Sequence, residues 1–197
     1  MAEAILIEDV DGVRAITLNR PERRNAMTPG MQDELIAAFV EAGSSQCRVV
    51  VLRGAGDAFC SGLDLSVLQQ MQKKSAEEYR ADALRVAGLF RTLFELPKPT
   101  VAVVHGAAVA GGTGLATICD FTLATPRAKF GYTEVRIGFV PALVSAYLTL
   151  QIGDKRSRDL LMTGRLFDAN EAHRLGLVNE VVAPEEMEAR LEALITT

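Results

Sequence analysis

The hydrophobic pattern changes period several times along the chain. Apolar-rich runs at Ile5–Glu8 and Val13–Asn19 flank Asp11-Gly12, a turn pair that predicts a β-hairpin, and Asn19-Arg20-Pro21 ends it. Thr28 before Pro29 reads as an N-cap and first helical residue, opening a helix through about Glu41. Arg48–Arg53 is a continuous apolar run, hence a buried strand, stopped by Gly54-Ala-Gly56. Ser75 with Glu78 forms a capping box, and Tyr79, Ala83, Val86, Phe90 and Leu93 then recur at helical spacing until Leu96-Pro-Lys-Pro99 breaks the pattern. Thr100–Val104 is β-branched except at Ala102 and predicts a strand buried on both faces. Beyond it Gly106–Gly114 is rich in glycine and alanine, Leu115–Cys119 reads as helix and Phe121–Ala124 as strand. Asp168 with Glu171 predicts a second capping box, closed by Gly176. Leu177–Val182 predicts a last strand and Pro184 the start of a last helix. Strands alternating with helices indicate an α/β domain.

Composition narrows the class. Of the 197 residues 49% are hydrophobic and 23% charged, the balance of a folded soluble domain. Lys plus Arg number 21 and Asp plus Glu 25, a net charge of −4 without any basic run, which argues against a nucleic-acid partner. No apolar run approaches the ~20 residues of a membrane span. The N-terminus carries acids where a signal peptide carries bases, so neither membrane association nor export is expected. Cys47, Cys60 and Cys119 lack metal-binding spacing and read as free thiols of a reducing compartment, which points to the cytoplasm. Two histidines exclude a multi-histidine metal site, and no metal is expected.

Four segments in order carry a family resemblance: Asn19-Arg-Pro-Glu-Arg-Arg-Asn-Ala26, Gly54-Ala-Gly-Asp-Ala-Phe-Cys-Ser-Gly-Leu-Asp-Leu65, Lys98 through His105 to Gly112 and on to Cys119-Asp120, and Ala128-Lys-Phe-Gly-Tyr-Thr-Glu-Val-Arg-Ile-Gly-Phe-Val-Pro141. Leu161-Met-Thr-Gly-Arg165 and Glu171–Asn179 continue the pattern. Together they resemble the enoyl-CoA hydratase/isomerase (crotonase) family over nearly the whole chain. The resemblance implies a crotonase-like spiral of ββα units over residues 1–183. Residues 184–197 would begin a C-terminal helical region that is otherwise largely missing. It also implies acyl-CoA thioester substrates and assembly as a homotrimer or hexamer. Coenzyme A would be part of the substrate, with no separate cofactor.

The family's shared chemistry is stabilisation of a thioester enolate by two converging backbone N–H groups, each able to contribute roughly 3 kcal/mol to a transition state. By resemblance these are the amides of Leu63 and Gly111, although Ala110-Gly-Gly112 alone is equally a plain strand-to-helix turn. The family's hydratases add two glutamates. One maps to Glu134; the other maps to position 114, which is Gly114 and has no side chain to move a proton. The wording of the fourth segment is closer to hydratases, which favours adding water to a 2-enoyl-CoA. A lone Glu134 equally suits Δ3,Δ2-enoyl-CoA isomerisation. Gly114 also leaves room for a non-catalytic acyl-CoA-binding paralogue.

For CoA, the resemblance places Arg23 and Arg24 near the nucleotide, where an arginine fork suits phosphate, with a solvated turn as the plain alternative. Ala26, Ser61, Gly62, Asp64 and Leu65 map to the adenine and pantetheine side of the groove, and Asp64 also reads as a helix N-cap. Ser61, His105 and Asp64 or Asp120 supply the residue types of a hydrolase triad, but no nucleophile elbow surrounds any serine. Cys60 has no histidine near it in sequence, and His173 falls on a short helix where a bland role is expected.

Overall fold

The computed structural model describes residues 3–71 and 74–196. β1 (Ile5–Val10) and β2 (Val13–Leu18) pair antiparallel as the sequence predicts. Asp11 at φ 51° and Gly12 at φ 80° supply the two left-handed residues of a hairpin turn, which Asp and Gly adopt at least cost. α1 (Pro29–Ser44) begins where expected, with the Thr28 hydroxyl accepting the Met31 N–H at 3.3 Å.

After α1, three successive turns of the chain each send one strand into each of two sheets and then one or two helices. β3 (Val49–Gly54), β4 (Ala58–Cys60), α2 (Leu65–Met71) and α3 (Ala76–Phe94) form one turn. β5 (Thr100–Val104), β6 (Ala107–Val109) and α4 (Gly111–Ile118) form the next. β7 (Phe121–Ala124), β8 (Lys129–Gly131), α5 (Ala142–Ile152) and α6 (Asp154–Thr163) follow. β9 (Phe167–Asp168), α7 (Ala169–Leu175), β10 (Glu180–Val181) and α8 (Met187–Ile195) complete the described chain. The large sheet runs β1-β2-β3-β5-β7-β10 and the small one β4-β6-β8-β9. This is the spiral of ββα units that the resemblance implied.

The central strands β3 and β5 of the large sheet are buried on both sides, which explains their continuous apolar runs, whereas β1 at the edge exposes Leu6, Ile7 and Val10. Val50 and Leu52 of β3, with Ala102 and Val104 of β5, face the main core under α1, α3 and α4. Their alternates Val49, Val51, Val101 and Val103 pack with Met187 and Leu191 of α8. Among the described residues no helix is long and apolar enough to cross a membrane.

Several expectations need correction. The last strand is two residues, Glu180–Val181, rather than Leu177–Val182; Leu177 and Val178 are core residues just before it. α4 opens at Gly111, four residues before Leu115. The Ser75–Glu78 box is complete, whereas the one at Asp168 is half-formed: its carboxylate accepts the Glu171 N–H at 2.8 Å, but the Glu171 side chain pairs with Arg165 instead. Glu134 opens a 3₁₀ turn, Glu134–Ile137, just beyond β8. The short strands β4, β6 and β8, and helices α5 and α6, lie outside the sequence reading altogether.

Candidate active site

The site grows from the carboxyl ends of the small sheet. β4, β6 and β8 are parallel neighbours, so their ends emerge side by side at about 4.8 Å spacing. Leu63, Gly111 and Glu134 each lie two or three residues beyond one of these strands. Three equivalent positions of consecutive spiral turns therefore meet at one place, the usual address of ligand sites in parallel sheets.

The two amides are held rigidly. Met27 N–H donates to the Gly62 carbonyl at 2.7 Å, and Asp64 N–H donates to the Met27 carbonyl at 3.0 Å, fixing the chain on both sides of Leu63. Gly62 has φ 87°, and a Cβ there would come within 3.0 Å of the Ala110 methyl and 3.4 Å of the Gly111 nitrogen. Only glycine lets the two segments approach this closely. Ala110 donates its N–H to the Gly131 carbonyl at 2.7 Å and adopts φ 52°, ψ −127°, a strained conformation for a residue with a Cβ. That conformation sets the plane of the peptide carrying the Gly111 N–H, at the positive end of α4. Among the described residues neither the Leu63 nor the Gly111 N–H has a hydrogen-bond partner.

Asn25 secures the loop behind them. It is fully buried at φ 54°, donates to the Ala58 and Phe59 carbonyls of β4 at 2.8 and 3.1 Å and to the Ala55 carbonyl at 2.9 Å, and accepts the Arg20 N–H at 2.8 Å. The sequence reading gave Asn25 no role; an asparagine in a turn after proline is the signal available. The Asp64 carboxylate accepts from the Ser66 N–H and hydroxyl at 3.0 and 2.7 Å and pairs with Arg20 at 2.9 Å. The Ser66 bonds first, then Arg20, hold its pKa at about 2 against the opposing effect of burial. It thus caps α2, and it ties Arg20, whose guanidinium also reaches the Ala26 carbonyl, to the same loop.

Glu134 is half-buried. Its Oε2 is fully enclosed with no hydrogen-bond partner among the described residues, and desolvation raises its pKa above the usual glutamate range. It shares a cavity of about 400 Å³ with Ser61, Leu63, Ala110 and Gly111; Val67, Leu68, Val86, Phe90, Leu143 and Val144 supply apolar wall. Arg23, on the 3₁₀ turn Pro21–Arg23, and Arg24 just after it stand exposed, off the cavity wall. The Arg24 carbonyl accepts the Ser61 N–H at 3.0 Å, tying that turn to the site. Ala26 and Gly62 are buried beneath, and Leu65 is exposed at the start of α2.

Position 114, where the resemblance implies a second acid in hydratases, has no room for a side chain. A Cβ on Gly114 would lie 2.6 Å from Val144 Cγ1 and 2.7 Å from Phe90 Cε1, so α3 and α5 both close over α4 at this residue. A glutamate cannot stand there while Phe90 and Val144 keep their positions. No sequence signal joined these three residues, because the contact links three separate helices.

The triad candidates do not assemble. The His105 ring contacts the Gly56 carbonyl at 2.7 Å, and Asp120 accepts from the Thr100 N–H and hydroxyl, both at 2.8 Å. Cys60 is buried with its thiol pushed up to about 12 by desolvation, which makes it a poor nucleophile. His173 contacts the Val178 carbonyl at 3.0 Å. Among the described residues no group of three or more His, Cys, Asp or Glu side chains is placed to hold a metal ion.

Known proteins share this architecture. A protein of Thermus thermophilus named "Putative enoyl-CoA hydratase" is 45% identical over 183 residues, which is 92% of this chain and 72% of that protein. A "Probable enoyl-CoA hydratase" of Rhizobium meliloti is 38% identical, covering 94% of this chain and 71% of its own length. The crystal structure of an enoyl-CoA hydratase from Mycobacterium smegmatis superposes with a TM-score of 0.93 at 34% identity, covering 99% of this chain and 76% of that one. The sequence model of the family described as enoyl-CoA hydratase/isomerase matches residues 8–196. On the match of both sequence and fold, the chain belongs to the enoyl-CoA hydratase/isomerase family.

Proposed function

We propose that the protein binds an acyl-CoA thioester and adds water to a 2-enoyl-CoA, with Glu134 as the sole side-chain acid/base. The thioester oxygen sits between the Leu63 and Gly111 amides. Glu134 takes a proton from water as the water oxygen attacks C3, and the π electrons move onto the thioester oxygen as an enolate. Protonated Glu134 then returns a proton to C2. One carboxylate thus serves both half-steps, and a pKa raised by desolvation suits a group that must accept and release a proton near neutral pH. The observation that carries this reading is the partnerless Glu134 oxygen in one cavity with two partnerless backbone N–H groups. CoA enters as part of the substrate. Arg23 and Arg24, free of ion pairs among the described residues, meet its phosphates at the mouth of the groove. Exposed Leu150 and Met162, off the cavity wall, supply apolar surface for assembly into a homotrimer or hexamer.

The filled space over Gly114 favours a second reading, Δ3,Δ2-enoyl-CoA isomerisation, in which Glu134 moves one proton from C2 to C4 and no water is needed. The two separate by offering crotonyl-CoA and following loss of the enoyl-thioester absorbance, then offering a 3-enoyl-CoA and following its gain. In either case Glu134→Gln lowers the rate by a factor on the order of 10²–10⁴ with the fold intact. An unchanged rate removes Glu134 from the mechanism. No turnover by the wild type, with CoA still raising the melting temperature, identifies a binding protein instead.

A further inference from the structure

Away from Ser61, Thr133 and Glu134 the cavity wall is largely apolar except where α1 meets α3. There Gln32, Asp82 and Arg85 line it. Gln32 lies between the core residues Met31 and Leu35, retains 3% of its surface, and makes no side-chain hydrogen bond among the described residues. A leucine would serve packing better at such a position; the amide is not among the fully enclosed groups and opens onto the cavity, where its donors and acceptor can meet a polar ligand. Arg85 lines the same cavity and is held in place. Its Nε donates to Asp33, the residue after Gln32, at 3.1 Å, and its Nη1 donates to Asp82 at 2.9 Å, while Lys74 pairs with the other oxygen of Asp82. The four charges balance, and Arg85 Nη2 is left without a partner among the described residues. Gln32 and Arg85 thus both hold N–H groups that seek an acceptor.

We infer that Gln32 and Arg85 form a polar subsite for an oxygen-bearing end of the acyl chain, so that the cavity selects an acyl group carrying a distal carboxylate or hydroxyl over a plain hydrocarbon chain. This rests on the reading above that the cavity holds the acyl group of a CoA thioester. The fixed pair Arg85–Asp82 orients the cation, and Gln32 supplies a neutral donor that stays unsatisfied with a hydrocarbon substrate. Rejection of the group lacking the oxygen follows from leaving those donors unpaired.

The test is calorimetric titration of the protein with three saturated five-carbon thioesters that cannot be hydrated: pentanoyl-CoA, 5-hydroxypentanoyl-CoA and glutaryl-CoA. At least one oxygen-bearing ligand is expected to bind about tenfold more tightly than pentanoyl-CoA, and which one distinguishes a hydroxyl from a carboxylate. In Gln32→Leu and in Arg85→Met, each checked for cooperative melting, the ratio measured within that variant falls toward one. Equal binding of all three ligands, tighter binding of pentanoyl-CoA, or a preference that survives both substitutions overturns the inference. A clear preference without turnover of any enoyl-CoA overturns the proposed reaction and leaves the subsite standing. Turnover without preference does the reverse. Failure of every thioester to bind overturns both.

Discussion

Glu134 is placed for chemistry against the interest of stability. Burial raises its pKa, so the folded protein holds this proton more tightly than the unfolded chain. Its stabilising effect is full below the unfolded glutamate pKa and is lost as pH rises through the raised value, where a carboxylate must sit in apolar surroundings. Glu134→Gln is therefore expected to melt above the wild type at neutral pH and level with it in acid, read by thermal unfolding at the two pH values. The acidic limb of the wild-type kcat/KM profile is expected above the ordinary glutamate range, and a limb at the unperturbed value counts against Glu134 as the base. Ala110 makes a parallel case in the backbone. Its φ of 52° strains a residue with a Cβ, so Ala110→Gly is expected to gain about 1 kcal/mol in urea unfolding while lowering kcat, because the peptide bearing the Gly111 N–H is less firmly set.

At the scale of elements, the meeting of α3, α4 and α5 at Gly114 decides what the site contains. Gly114→Ala puts a methyl group against Phe90 and Val144 and is expected to cost about 1–3 kcal/mol. Phe90→Leu should recover part of that loss in the double variant, giving a coupling energy that a chemical-denaturation cycle measures; strict additivity would mean the ring yields freely. Which elements were legible in the sequence follows from how each one is held together. The β1–β2 hairpin, the Thr28 and Ser75 caps and the buried β5 are specified locally, by turn residues, capping side chains and a β-branched run. β4, β6 and β8 are three residues each and rich in alanine, glycine or cysteine, so pairing with neighbours holds them and no local pattern announces them. α5 is apolar nearly all round and shows no stripe to read. In the candidate site, motif wording brought Leu63, Gly111 and Glu134 into view, whereas Gln32, Asn25 and Phe90 owe their places to tertiary contacts.

For the whole molecule, the second face of the large sheet depends on one short helix. Leu191 of α8 is 4% exposed and packs with Val49, Val51, Val101 and Val103, so Leu191→Ala is expected to lower stability by about 2–5 kcal/mol although it lies far from the cavity in sequence. Kinetic constants of the remaining folded fraction should stay near wild type, and a drop in kcat equal to that of Glu134→Gln would contradict the separation. The spiral itself has a further consequence. Because the Leu63 amide, the Gly111 amide and the Glu134 carboxylate follow parallel neighbouring strands by two or three residues, their meeting depends on segment length more than on side-chain identity. Adding one residue between β6 and Gly111 would lengthen the single-residue link by up to about 3.5 Å and displace the Gly111 N–H from its partner amide. The half-buried Ser61 and Thr133 should therefore bear substitution more readily than either stretch bears an insertion or deletion, so that diversification of this site would proceed at constant loop length.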